Sequence, residues 1–294
     1  MKTAHLLLYC LAAVFLPADE PNLIPESGQP RLRKPGGFNL ELLPKAFASN
    51  PRIEMTVYSE RTAYGRTLRD PSPEHPVYYV AHSEGYKPMG SSPIRENPPA
   101  QEKIDALLQG VLAKRSFLPA REISHPPALA LFYYWGSHSG LDVRDVMASP
   151  ELISLRRRDI LERARLVGGL DNVQKMARQM DEGIPIHERM AREQHLQYQA
   201  AHDLYYVVVS AYDFAALTRG ERKLAWRTTL TVNDQGVSMR ETLPPLIISA
   251  MDFFGRDTGE SLALQRRINR GSVTLGPLII IGTALPDPEP APTK

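Results

Sequence analysis

Three short stretches carry side chains that could do chemistry. The first is Ala81-His82-Ser83-Glu84-Gly85, close to the Gly-x-Ser-x-Gly spacing of a nucleophile elbow. An elbow needs a strand that stops in a strained turn and a helix that begins at once, so that helix amides and dipole support an oxyanion. Here the chain runs on as Tyr-Lys-Pro-Met-Gly-Ser-Ser-Pro-Ile-Arg-Glu-Asn-Pro-Pro, and its prolines and Gly90 exclude a helix. The elbow order also needs a histidine on a late loop, whereas the last histidine, His202, falls in a helical pattern. Ser83 therefore reads as part of a strand entering a surface loop.

The second stretch is His187-Glu188-Arg189-Met190-Ala191. Two histidines four apart share a helix face and can reach one zinc ion, but here the fifth position is Ala191. His187, His195 and His202 share a stripe, yet His187 and His195 lie about 12 Å apart along a helix axis at 1.5 Å per residue. A half-exposed polar edge is the expectation, with no metal site and no cofactor.

The third stretch, Trp135-Gly-Ser-His-Ser-Gly-Leu-Asp-Val-Arg-Asp145, follows the run Ala128–Trp135, which is apolar on both faces as a central strand should be. Ligands in open α/β sheets bind outside the carboxyl ends of strands. Trp135, Ser137, His138, Ser139, Asp142 and Arg144 are the candidate ligand-binding set. The bland reading of this stretch is a capped turn from strand to helix. No catalytic residue is assigned. The basic clusters Arg31–Lys34, Arg156–Arg158 and Arg266–Arg270 lack interleaved aromatics and read as solvated faces, the middle one with Asp159 and Glu162 nearby for i, i+4 pairing.

The elements that must position these groups alternate between strand and helix. Ile53, Met55 and Val57 recur with period two, and Val77–Val80 is a second short strand-like run. Ile104, Leu107, Leu108 and Val111 form a helical stripe. A helix from about Pro150 should stop at Gly168-Gly169, and another should start with Asp171 as its cap. A third helix is expected over 186–202. Asp203–Asp213 and Lys223–Val232 are rich in β-branched and aromatic residues and read as a hairpin. Trp226 is expected on its buried face, with Lys223, Arg227, Thr229 and Thr231 on a wet one. Thr242-Leu-Pro-Pro opens a helix closed by Gly255, and Val273–Ile281 reads as a last strand. The fold class is α/β (α+β): a mixed sheet with a C-terminal β-hairpin, packed by several helices.

The ends read differently. Lys2, the apolar run Leu6–Leu16 and Pro17-Ala18 have the anatomy of a secretory signal peptide, too short to span a bilayer. Cleavage is placed after Ala18, and no lipid anchor is expected at Cys10 because Tyr9, not a small residue, precedes it. The division is 1–18 signal peptide, 19–50 extended Pro/Gly-rich arm, 51–285 single α/β domain and 286–294 Pro-rich tail. Fourteen of the 26 prolines fall before residue 101, which is why the arm cannot hold a long helix. The mature chain would have no cysteine and no disulfide, so it must rest on a packed core. Losing residues 1–18 removes one lysine and leaves 34 basic against 33 acidic residues. That balance gives no electrostatic case for nucleic acid or an anionic membrane.

The element order over about residues 100–281, with Lys223-Leu-Ala-Trp226-Arg on the second hairpin strand, resembles α/β domains of exported envelope proteins of the curli-assembly and Tol type. Leu43-Pro-Lys, Tyr134-Trp-Gly-Ser-His138 and Lys223–Arg227 are similar to stretches of an uncharacterised family of exported bacterial proteins, which implies no function. The expected function is an exported, non-catalytic periplasmic or envelope binding or assembly module, with an envelope protein as the kind of partner. The competing class is a secreted serine hydrolase using Ser83 or the Ser137–Ser139 loop. Ligand and oligomeric state stay open.

Overall fold

Period-two patterns become strands where the sequence places them, and several strands run longer than their apolar cores. In the computed structural model, which describes residues 31–32, 44–92, 97–121, 124–141, 149–181 and 191–270, the strands are β1 (Arg31–Leu32), β2 (Arg52–Arg61), β3 (Val77–Tyr86), β4 (Phe117–Pro119), β5 (Leu129–His138), β6 (Leu204–Asp213), β7 (Leu224–Asn233) and β8 (Leu262–Arg267). The helices are α1 (Ala63–Thr67), α2 (Gln101–Lys114), α3 (Pro150–Asp181), α4 (Ala191–Ala201), α5 (Phe214–Thr218) and α6 (Met239–Ser249). Among the described residues the strands form one mixed sheet in the order β1-β8-β2-β7-β6-β5-β3-β4. β3 is parallel to both β4 and β5, and every other pairing is antiparallel. Both edge strands are very short, which limits the unpaired backbone offered to other chains.

The α+β class with its hairpin is therefore the observed fold. β6 and β7 pair along their whole length from Leu204–Asn233 to Tyr212–Leu224. Two residues of the proline-rich arm, Arg31 and Leu32, extend the sheet by pairing with Gln265 and Leu264. β8 falls where a solvated basic face was expected. Arg266 is buried and donates to Ser249 Oγ, its charge disfavoured by burial. The strand expected over 273–281 and the tail lie outside the described residues, as do residues 1–30.

Alternation sorts side chains to two helical layers. On one face Ile53, Met55, Val57, Leu131, Trp135, Val207, Val209, Leu230 and Val232 join Ile104 and Leu108 of α2 and Leu243, Leu246 and Ile247 of α6 in the main core. α6 starts three residues before the expected Thr242. Glu241 folds back to accept from Ser238 N at 2.9 Å, which closes the first turn from both sides. On the other face Val167 of α3 packs with Leu204, Tyr206 and Val208 of β6. That face is wet only at the start of β7, where Lys223 is exposed and Arg227 half-buried; contrary to expectation, Thr229 and Thr231 are buried beneath the helical layer.

α3 is bent back on itself. Arg157 Nη2 donates to Asp181 Oδ1 at 2.6 Å across 24 residues of sequence, whereas a straight helix would hold them about 36 Å apart. The reversal sits at Gly168 and Gly169, whose backbones leave the helical region, so the expected stop and restart are present, although Asp171 lies inside the second helical segment rather than capping it. Gly169 has φ +65°, and a Cβ there would lie 2.6 Å from the Tyr58 ring of β2. Glycine is needed for both the dihedral and the close approach.

Candidate functional site

The strand β3 carries Ser83 in its interior rather than at its end. Its hydroxyl accepts from Gly85 N at 3.2 Å, and among the described residues no helix begins between Ser83 and Gln101. No histidine bonds to Ser83 among the described residues. The following segment is not a free surface loop, because it runs on beside β5. Lys87 N donates to Trp135 O and Met89 N to Ser137 O, both at 2.8 Å, and Ser139 N donates back to Met89 O at 3.0 Å. Gly90 permits this approach, since a Cβ on it would meet Ser139 O at 2.0 Å.

That pairing decides what becomes of the Trp135–Arg144 set. β5 continues through His138, so period-two alternation separates the candidates instead of converging them. Trp135 belongs to the core on the α2/α6 face, with its ring stacked on Tyr133 at 6.5 Å. Ser137 is 2% exposed and shares a 3.2 Å hydrogen bond with Tyr86 OH. Ser139 is equally buried, with both backbone groups paired to residues 89–92. His138 points the opposite way, to α3. Asp142 and Arg144 lie outside the described residues.

Around His138 the structure builds a polar cluster that the sequence did not reveal. The imidazole is fully buried, and its Nε2 lies 3.0 Å from Glu162 Oε2. One helical turn earlier, Asp159 is also fully buried; its Oδ1 accepts from Ser91 N at 3.0 Å and its Oδ2 from Ser91 Oγ. Next to it Arg163 donates to Ala200 O at 2.8 Å and to Asp203 Oδ1 at 3.2 Å. Asp203 also takes Gly140 N at 3.0 Å. Burial holds the His138 pKa below the ordinary imidazole value, and the Glu162 hydrogen bond opposes that shift without reversing it. Sequence reasoning saw Asp159 and Glu162 only as partners of surface arginines. Arg158 does reach Glu162 at 3.6 Å. The missed signal is the i, i+3 spacing of two carboxylates on an inward face, which becomes chemical only when β5 supplies a histidine.

The histidine stripe of α4 also differs from expectation. His195 is 8% exposed, not half exposed, with its ring 3.5 Å from both Thr56 Oγ1 and Glu54 Oε2 of β2. The helical layer covers β2 there, and a strand face with Thr56 and Glu54 gives the imidazole polar company. His202 bonds Tyr198 O at 2.8 Å, and His187 lies outside the described residues.

At the opposite end of the sheet lies a cavity of about 380 Å³. It sits where β5 and β7 begin and β2 and β6 end. Leu68, Val77, Phe117, Pro127, Leu129 and Trp226 give it an apolar wall, and Arg61, Arg69, Asp70 and Asp213 add charged groups. Trp226 is 3% exposed, with its ring 5.7 Å from Phe117 and 6.4 Å from Phe254. Its place on the buried face is as expected, although its ring partners come from β4 and from the segment after α6. Its indole N–H is buried beside Gly255, one of the cavity-lining residues, and has no hydrogen-bond partner among the described residues. Tyr64 OH donates to Asp213, which also caps α5 by accepting from Ala216 N at 2.5 Å. Burial and this carboxylate push the Tyr64 pKa up to about 12. Arg61 donates four hydrogen bonds, to Asp70, Leu68 O and, twice, Gly65 O.

No protein-family model matches the chain, and no curated protein matches it. Among solved structures it is similar, at 10% identity and a TM-score of 0.34, to a PDZ domain protein from Parabacteroides distasonis ATCC 8503. The match takes in 74% of this chain and 40% of that one, so the chain spans well under half of the other protein's length. Among the described residues no helix is long and apolar enough to cross a membrane.

Proposed function

We propose that this chain is an exported, non-catalytic binding or assembly module of the periplasm or envelope, and that its ligand seat is the cavity beside Trp226. The observation that carries the proposal is Trp226, which lines the cavity and whose buried indole N–H has no acceptor among the described residues. A buried donor left unpaired costs about 1–3 kcal/mol, which a ligand bringing an acceptor would recover. Concave, mostly apolar sites with a few polar groups are the usual form of small-molecule seats. Export is supported by Lys2, the Leu6–Leu16 run and Ala18. The non-catalytic reading is supported by Ser83 within a strand and by the burial of Ser137 and Ser139.

The test uses 1-anilinonaphthalene-8-sulfonate, an apolar aromatic anion with sulfonate acceptors. Saturable 1:1 binding that quenches tryptophan fluorescence and weakens at least about fivefold in Trp226→Phe supports the seat. Failure to saturate, or equal binding by the variant, refutes it. A serine-reactive fluorophosphonate probe checks the other half: labelling of Ser83, Ser137 or Ser139 would replace the binding module with a hydrolase. Mass spectrometry of the chain purified from periplasm should find residues 1–18 removed, and a retained N-terminus would contradict export by cleavage.

A further inference from the structure

We propose that His138, Asp159 and Glu162 form a binding site for a divalent transition-metal cation. The three side chains each offer one ligand atom, and these atoms lie within 4.8 Å of one another. Ligands about 2.1 Å from a shared ion stand at most about 4.2 Å apart, so shifts of under about 1 Å close the set. Two elements supply it. The end of β5 fixes the imidazole, and the i, i+3 spacing on α3 puts both carboxylates on the face turned toward it.

The histidine itself points to a ligand. His138 is 0% exposed, yet among the described residues its ring bonds only to a glutamate side chain that is 47% exposed, and its Nδ1 has no partner there. A polar ring taken wholly out of water and held by one surface carboxylate is poorly compensated. An ion bound through the imidazole would supply the missing compensation. The electrostatics permit it. Asp159, Glu162 and Asp203 outnumber Arg158 and Arg163, and the Arg163 guanidinium is committed to Ala200 O and Asp203. Ser91, bonded to Asp159, holds that carboxylate in place as a second layer of support.

One nitrogen and two carboxylates suit Zn²⁺, Co²⁺ or Mn²⁺ better than the all-oxygen preference of Ca²⁺ or Mg²⁺. The half-exposed Glu162 is the entry side. The site is independent of the Trp226 cavity, which lies at the other end of β5.

The experiment titrates chelator-stripped full chain with Co²⁺, read by calorimetry and by visible absorption. One ion per chain with a ligand-field band is expected, and Zn²⁺ should displace it. Glu162→Gln keeps the size and half-exposed position of that side chain, so it should fold as wild type by circular dichroism while binding at least about tenfold more weakly. Glu151→Gln, on the exposed first turn of α3, should bind as wild type. Absence of stoichiometric binding overturns the proposal. So does wild-type affinity in Glu162→Gln, or equal weakening in Glu151→Gln.

Discussion

Replacing Trp226 by alanine tests the placement of the β7 side chains directly. The ring is 3% exposed and touches Phe117 and Phe254. Truncating a core aromatic costs about 3–5 kcal/mol, and the two ring contacts belong to that cost. Two features pull the value to the low end. The N–H has no partner, so deleting it removes a penalty of about 1–3 kcal/mol. The neighbouring cavity also lets water or side chains relax into the space. About 3 kcal/mol is expected for Trp226→Ala, which at a urea m-value of about 3 kcal/mol/M shifts the unfolding midpoint by about 1 M. Trp226→Phe should behave differently, because it keeps an aromatic in contact with Phe117 and Phe254 while dropping the unpaired donor. Its change should stay within about 1 kcal/mol. Urea unfolding followed by far-ultraviolet circular dichroism measures both. A loss below about 1 kcal/mol for the alanine variant, the range of ordinary surface changes, would mean the ring is not in the core. A phenylalanine variant as costly as alanine would mean that the indole N–H is paired after all.

Gly169→Ala should destabilise by about 2 kcal/mol or more, since a backbone at φ +65° costs a non-glycine residue about 1–3 kcal/mol and the new Cβ would collide with Tyr58; a neutral thermal shift would contradict the reversal of α3. In metal-free buffer, stability should fall as pH drops from about 7 to 5. His138 stays neutral in the fold while the unfolded chain takes up the proton near the ordinary imidazole value, so the unfolded state binds more protons and gains as pH falls. The slope is at most about 1.4 kcal/mol per pH unit for this one group, and His138→Gln should flatten it in chemical denaturation at each pH. Arg270 donates to Lys45 O, Ala46 O, Ala48 O and Gly236 O and pairs with Glu241. Arg270→Ala should therefore expose residues 44–50 to protease well before the sheet is cut, and unchanged cleavage kinetics would show that the staple is not needed.

The sequence was most legible where one physical rule governed many residues in a row. A period-two run located β2, a run apolar on both faces located β5, β-branched and aromatic runs located β6 and β7, and the paired glycines located the turn in α3. β8 escaped because Leu262-Ala-Leu-Gln-Arg-Arg looks basic, and only a structure shows that Arg266 turns inward to Ser249. The wet face predicted for Lys223, Arg227, Thr229 and Thr231 held at Lys223 and failed at the two threonines for a related reason. Threonine is tolerated on either side of a strand, so its burial depends on what packs above, here α3. The candidate site fared worst. Trp135, Ser137 and His138 are neighbours in sequence but alternate across the sheet. The partners of His138 lie 21 and 24 positions away on α3, joined to it by no motif. The cavity at Trp226 draws its walls from strand ends scattered over about two hundred residues, and no local pattern could have assembled it.

The position of β2 has a consequence for how the chain reaches this fold. Its two neighbours are β7 and β8, whose partner residues come some 170 to 210 positions later in the sequence. An early strand that must lie between two late ones cannot be built locally, and loop closure of that length makes its docking slow. Until both arrive, Ile53, Met55 and Val57 stay uncovered. If the chain emerges N-terminus first, that apolar strip appears first and is sheltered last. Such a chain would depend on a holding factor throughout its emergence, and a stop codon placed between β7 and β8 would leave one flank of the strip bare.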